Sequence, residues 1–131
     1  MKIFLAIKFY QDASNRSTIE GLLKLLDRPG IQTVTSARDY ENWGQLVLPP
    51  AELMKRTFAE IDTSNLVLME LSEKGIGLGI EAGYAYAKGI PLVIIARSDS
   101  NISATIQGIV REIIFYHDFE DLAQKIAPYL I

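Results

Sequence analysis

No cysteine occurs among the 131 residues, which excludes disulfides and thiolate metal sites. Histidine occurs once, at His117, and a lone imidazole cannot build a metal cluster; it reads as a surface or loop residue. No segment approaches the ~20 consecutive apolar residues that a bilayer crossing requires. The apolar start Met1-Lys2-Ile3-Phe4-Leu5-Ala6-Ile7-Lys8 is too short for a signal-peptide core followed by a cleavage site, so it reads as a first strand and a cytoplasmic location is the default expectation. Basic runs are also missing. The 13 Lys and Arg are scattered among 16 Asp and Glu for a net charge of -3, which argues against polymeric nucleic acid as a partner while allowing a single nucleotide. No Gly-Lys-Ser/Thr follows the glycines, and Gly77-Leu78-Gly79 lacks the full dinucleotide fingerprint. Nothing asks for a metal or a cofactor.

What is present is an alternation of strand and helix patterns in a chain of one-domain length, with 49% apolar and 22% charged residues. Residues 2–7 form a first strand; Ile19, Leu22, Leu23 and Leu26 then recur at helical spacing until Pro29-Gly30 stops them. A second strand at 31–35 leads into a long polar and aromatic loop, 36–48. Pro49-Pro50 opens a helix with Leu53, Met54, Phe58 and Ile61 on one face. Strands follow at 65–71, 90–96 and 113–116, with a short helix at 102–112 and a last helix capped by Asp118. Such alternation implies right-handed crossovers and a parallel sheet covered on both faces. The expected architecture is a single α/β domain over 1–131, a flavodoxin-like, Rossmann-like three-layer sandwich with five parallel strands in the order 2-1-3-4-5. Its ligand crevice should lie between the first and third strands, beyond their carboxyl ends.

The most informative stretch is Gly75-Ile76-Gly77-Leu78-Gly79-Ile80-Glu81-Ala82-Gly83-Tyr84-Ala85-Tyr86-Ala87, just after the third strand. It is expected to place the Glu81 carboxylate at a helix N-terminus facing the crevice. There it either complements the helix dipole or, ionised and dry beside a ligand, serves as a nucleophile. Tyr84 and Tyr86 point to different helix faces, so one packs and the other is left for solvent or another subunit. Glu70, closing the third strand, either orients a substrate hydroxyl or makes a structural hydrogen bond. In the loop after the second strand, Trp43 or Tyr40 is placed to stack on a base and Arg38 or Asp39 to bond its edge. The alternative is a loop whose Trp43 caps the core and whose charges are solvated.

The segment 77–85, followed by Lys88-Gly89-Ile90-Pro91, resembles the signature of the nucleoside 2-deoxyribosyltransferase family, which includes the 2'-deoxynucleoside 5'-phosphate N-hydrolases. The resemblance spans nearly the whole chain. It implies that Glu81 attacks the anomeric carbon of a deoxyribose, and that Gly77 and Gly79 lie against the substrate. Ser103-Ala104-Thr105-Ile106-Gln107-Gly108 resembles a segment whose serine reaches a substrate 5'-phosphate, in the family from a neighbouring chain, so Ser103 is a candidate and a homodimer or higher homo-oligomer is expected. Departures are as definite. Where relatives carry a first-strand Tyr, an Asp before the third strand, and Ser or Asp before the glycines, this chain has Phe4, Thr57 and Gly75. The phosphate-binding Ser and Arg after the first strand give way to Ile7-Lys8-Phe9-Tyr10, leaving Lys8 as a point charge without the fork of an arginine.

Cleavage or transfer at the N-glycosidic bond of a 2'-deoxyribonucleoside or its 5'-monophosphate is therefore expected, through a deoxyribosyl-Glu81 intermediate with retention. A competing expectation is a non-catalytic nucleotide-binding or sensing module of the same fold, favoured by the three departures. A flavin or receiver domain fits the fold less well, because the acidic cluster of a phosphorylated receiver is missing after the first strand.

Overall fold

The computed structural model describes residues 1–130. Five strands, β1 (Lys2–Ile7), β2 (Gln32–Val34), β3 (Leu66–Glu70), β4 (Leu92–Arg97) and β5 (Glu112–Tyr116), form one parallel sheet in the expected order β2-β1-β3-β4-β5. Side-chain alternation along each strand divides the core into two layers. Ile3 and Leu5 of β1, Leu66 and Leu68 of β3, and Val93 and Ile95 of β4 pack beneath α1 (Arg16–Leu26) and the C-terminal helix. Phe4, Ala6, Val67, Met69, Leu92 and Ile94 face the opposite layer, built from α3 (Pro50–Asp62) and α4 (Ile76–Ala87). Strands buried on both faces explain the near-continuous apolar runs in the sequence.

Local signals act as expected in several places. Pro50 occupies the first turn of α3, where its missing N–H costs nothing. Asp118 caps α6 (Phe119–Ile126) by accepting the Asp121 N–H at 2.8 Å. Asn15 precedes α1 but does not cap it; its Oδ1 accepts the Tyr10 N–H at 3.1 Å while its Nδ2 donates to the Lys8 carbonyl at 2.6 Å. The Asn15 side chain thereby fixes the loop that leaves β1.

Two elements differ from expectation. The segment read as a loop at 36–48 begins with the short helix α2 (Ser36–Asp39), seeded by the Asp39 N–H bond to the Thr35 carbonyl at 2.9 Å. The helix expected at 102–112 is a single turn, α5 (Ala104–Gln107), because Gly108 ends it and Glu112 already pairs with β4. A 3-10 turn, Ala127–Tyr129, follows α6. No described helix is long and apolar enough to cross a membrane.

Candidate active site

The carboxyl ends of β1 and β3 run side by side, with Ile7 paired to Glu70. Sheet order reverses at this pair, where α/β folds open a ligand crevice. Lys8 follows directly, its side chain reaching across so that its Cδ would stand 4.0 Å from a Cβ added at Gly75. Gly75 precedes α4 in extended conformation, no side chain caps the helix, and its first turn carries no acid. Free first-turn N–H groups beside an exposed ammonium, whose one ion-pair partner among the described residues is Glu73 at 4.0 Å, make this end of the crevice favourable to an anion. Gly77 is exposed there with open space where a side chain would be.

Glu81 is not at the helix start. Since α4 begins at Ile76, Glu81 is its sixth residue, past the first turn to which dipole stabilisation is confined. Its electrostatics follow from that placement. Burial pushes its carboxyl up to about 7, with no charged neighbour or hydrogen bond offsetting the desolvation. Glu81 follows Gly77 by four residues and precedes Tyr84 by three, so these three share one flank of the helix. That flank faces α3, since Tyr84 stacks on Phe58 with ring centroids 4.1 Å apart and donates to Asp62 Oδ1 at 2.7 Å. The tyrosines therefore separate: Tyr84 packs within the chain, whereas Tyr86 is 60% exposed.

Gly79 lies on the other flank and meets Ser103 across a pocket of about 150 Å³ that Leu71, Gly75 and Ile106 also line. Ser103 caps α5, its Oγ accepting the Ile106 N–H at 3.3 Å, which leaves its own O–H free to donate. Ile7 and Lys8 also border a larger crevice of about 420 Å³ on the α1 side of the sheet, with Glu70, Ser72 and Arg97 on its walls. Glu70 is buried and fully engaged. It accepts from the Ser72 N–H at 2.5 Å, from Ser72 Oγ at 2.9 Å and from the Tyr116 hydroxyl, so a structural role accounts for it.

The remaining loop candidates are engaged with or packed against other groups. Arg38 donates to both carboxylate oxygens of Asp39, at 2.9 and 3.1 Å, and to the Thr33 carbonyl at 2.8 Å; Asp39 also accepts the Thr35 N–H at 2.9 Å. The pair is spent on holding α2 against the edge strand. Trp43 packs against the α1-side core, edge-on to Phe9 at 5.9 Å and covered by the Arg16 guanidinium at 4.5 Å, which matches the core-capping alternative. Tyr40, the other candidate stacker, is only 2% exposed, and its ring lies inside the α3–α4 layer beneath the Arg56 guanidinium at 4.3 Å. Spacing arguments singled out Glu70 but not Tyr116 or Arg56, whose partners Glu70 and Asp39 lie far away in the chain. Of the three polar side chains missing relative to the family pattern, Phe4 is fully buried, and the Thr57 hydroxyl turns back to the Leu53 carbonyl at 2.9 Å. Among the described residues, no group of three or more His, Asp or Glu stands together as metal ligands would.

No family model matches the chain. A protein of Thermofilum pendens provisionally named 2'-deoxynucleoside 5'-phosphate N-hydrolase 1 is 25% identical over 136 positions, spanning 96% of this chain and 92% of its own. Among solved structures, a CMP N-glycosidase of Clostridium botulinum superposes with a TM-score of 0.74 at 19% identity, covering 98% of this chain and 99% of that one. The 2-deoxyribosyltransferase of Bacillus psychrosaccharolyticus superposes with a TM-score of 0.70 at 18% identity, covering 99% and 96%. The resemblance to the nucleoside 2-deoxyribosyltransferase family thus extends over nearly the whole chain, in sequence to its 2'-deoxynucleoside 5'-phosphate N-hydrolase branch and in fold to a glycosidase and a transferase.

Proposed function

We propose that this protein is an enzyme that cleaves or transfers the N-glycosidic bond of a 2'-deoxyribonucleoside or its 5'-monophosphate, with Glu81 as nucleophile. One observation carries the proposal. Glu81, matched to the family nucleophile, is a half-buried carboxylate with no hydrogen bond or ion pair among the described residues, set on the flank of α4 that faces α3. A carboxylate serving only the fold would be paired, as Glu70 is.

In this reading a Glu81 carboxylate oxygen attacks the anomeric carbon. The C1'–N bond breaks and its electron pair leaves with the base, which takes a proton from solvent, because Arg38 and Asp39 are bonded to each other. Water or a second base then displaces Glu81 from the sugar, and two displacements retain configuration. Attack requires the ionised form, so kcat/KM should rise with pH through about 7, the value to which burial moves the Glu81 carboxyl. Lys8 beside the uncapped start of α4 supports the monophosphate over the free nucleoside.

The losses at Phe4 and Thr57 favour a second reading, a binding module without turnover. Chromatography of free base after incubation with a panel of 2'-deoxynucleosides and their 5'-monophosphates separates the two. Wild-type turnover should be abolished by at least two orders of magnitude in Glu81→Gln with substrate binding kept. Binding without base release from the wild type establishes the module, and normal turnover in Glu81→Gln removes the assigned nucleophile.

A further inference from the structure

The crevice of about 420 Å³ on the α1 side has no task in the reaction described above, yet it adjoins the place assigned to the 5'-phosphate, since Lys8 borders both. Its volume is in the range that encloses a whole small molecule rather than one ionic group. A second cation lines it. Arg97 closes β4, so it and Lys8, which follows β1, flank the end of β3 from either side. Strands two places apart lie about 10 Å from one another, a gap across which both long side chains can converge. The Arg97 backbone N–H donates to Ser72 Oγ at 2.9 Å, which fixes the root of the side chain. Its guanidinium is exposed and forms no ion pair among the described residues. Thr18 and Ser100 add hydroxyls to the same walls.

Three carboxylates also line the crevice and oppose an anion there. Glu70, on the floor, is taken up by Ser72 and the Tyr116 hydroxyl. Glu73 holds Lys8 at 4.0 Å in an exposed pair of the kind that contributes little and that a phosphate displaces. Asp99 is exposed in the turn after Arg97, where water and salt screen it.

We infer that this crevice binds a second phosphoryl group, extending the substrate class to 2'-deoxyribonucleoside 5'-diphosphates, with the first phosphate at Lys8 and the start of α4 and the second in the guanidinium fork of Arg97. The place of the first phosphate rests on the proposed function; what is added is a specificity-determining residue from β4.

Inorganic phosphate and pyrophosphate test the crevice without any glycosidic bond. In titration calorimetry at fixed ionic strength, pyrophosphate should bind the wild type at least tenfold more tightly than phosphate. Arg97→Ala should bring the two affinities together, and Arg97→Lys, which keeps the charge without the fork, should restore only part of the gap. The side chain is exposed and the backbone bond to Ser72 survives both substitutions, so both variants should melt with the wild type. Glu73→Gln and Asp99→Asn remove opposing charges and should tighten pyrophosphate. In base-release assays by chromatography, the 5'-diphosphates of 2'-deoxycytidine and 2'-deoxyguanosine should show a KM about tenfold below that of the monophosphates, a difference that Arg97→Ala erases. Equal affinities for phosphate and pyrophosphate, a pyrophosphate preference that survives Arg97→Ala, or weaker pyrophosphate binding in Glu73→Gln overturns the second phosphate site and leaves the proposed activity standing. An Arg97-dependent pyrophosphate preference in a protein that releases no base from any of these nucleotides supports the site and overturns the proposed activity.

Discussion

Replacing Glu81 by Gln should make the protein more stable at pH 8 and leave its stability almost unchanged at pH 4.5. The substitution keeps shape and removes charge. Burial holds the Glu81 carboxyl near 7 in the folded chain, against an ordinary value of 4.5. Between those values the folded state binds more protons than the unfolded state, so stability falls as pH rises through the window, and the full cost is present above about 7. At 1.36 kcal/mol per pH unit the ceiling is about 3.4 kcal/mol. Glu81 is only partly shielded, and water screens what it reaches, so an effect of about 1–2 kcal/mol is expected. For a chain of this size that corresponds to a rise of roughly 4–8 °C in Tm.

The glutamine amide has unmet hydrogen bonds of its own, which would obscure a comparison at one pH. Those costs do not titrate. Urea unfolding of both proteins at half-unit intervals from pH 4.5 to 8.5 isolates the charge, since only the pH-dependent part of the difference belongs to it. A difference constant across the range would refute the desolvation account. A variant that loses stability relative to wild type as pH rises would mean that a helix-start field or an unseen cation favours the ionised form. The expected result has a functional corollary: a carboxylate kept at a cost to the fold is retained for chemistry.

Three further outcomes follow from the same geometry. Lys8→Ala should raise KM about tenfold for a 2'-deoxynucleoside 5'-monophosphate and leave the free nucleoside unaffected; equal changes for both would place the phosphate elsewhere. Asp39→Ala should lower stability by about 1 kcal/mol through loss of its bonds to the Thr35 N–H and Arg38, with kcat for base release unchanged; a selective loss of kcat would restore Asp39 to the site. On α4, Ile76 and Ile80 stand one turn apart and remain 86% and 47% exposed, so sedimentation at micromolar concentration should show a self-associated species that Ile80→Glu dissociates; a fully active wild-type monomer would exclude a shared site.

The sheet was legible because its signals are local and redundant. β1, β3 and β4 are short apolar runs between turn residues, and α1 carries a helical stripe of Ile19, Leu22, Leu23 and Leu26, all of which are buried. Where the signal was weaker, boundaries moved. The single turn of α5 was overextended because Ile109 and Val110 continue the apolar pattern after Gly108 has ended the helix.

The site was legible in one residue and obscure in its surroundings, and the physics of α4 shows why. Glycines at 75, 77 and 79 suggested that the helix begins near Glu81, since glycine disfavours a helix interior by about 1 kcal/mol relative to alanine. Packing outweighs that propensity: Leu78, Ala82 and Ala85 are buried against the sheet, and a helix begun at Ile76 brings all three to one face. The same early start carries Glu81 beyond the reach of the dipole and onto the flank facing α3, turning an expected low-pKa carboxylate into one held near 7. Arg38 and Asp39 show the complementary difficulty. Adjacent opposite charges in a loop look like ligands for a base, but here they bond one another, the Thr33 carbonyl of the edge strand β2 and the Thr35 N–H that precedes α2. Tyr40 completes the contrast, since nothing in its neighbours along the chain announces that an aromatic in a polar stretch will be enclosed by β1, β2, α3 and α4 with its hydroxyl unspent. Helix phase and long-range enclosure, rather than motif, therefore decide which polar groups are left without partners, as Glu81 and Tyr40 show.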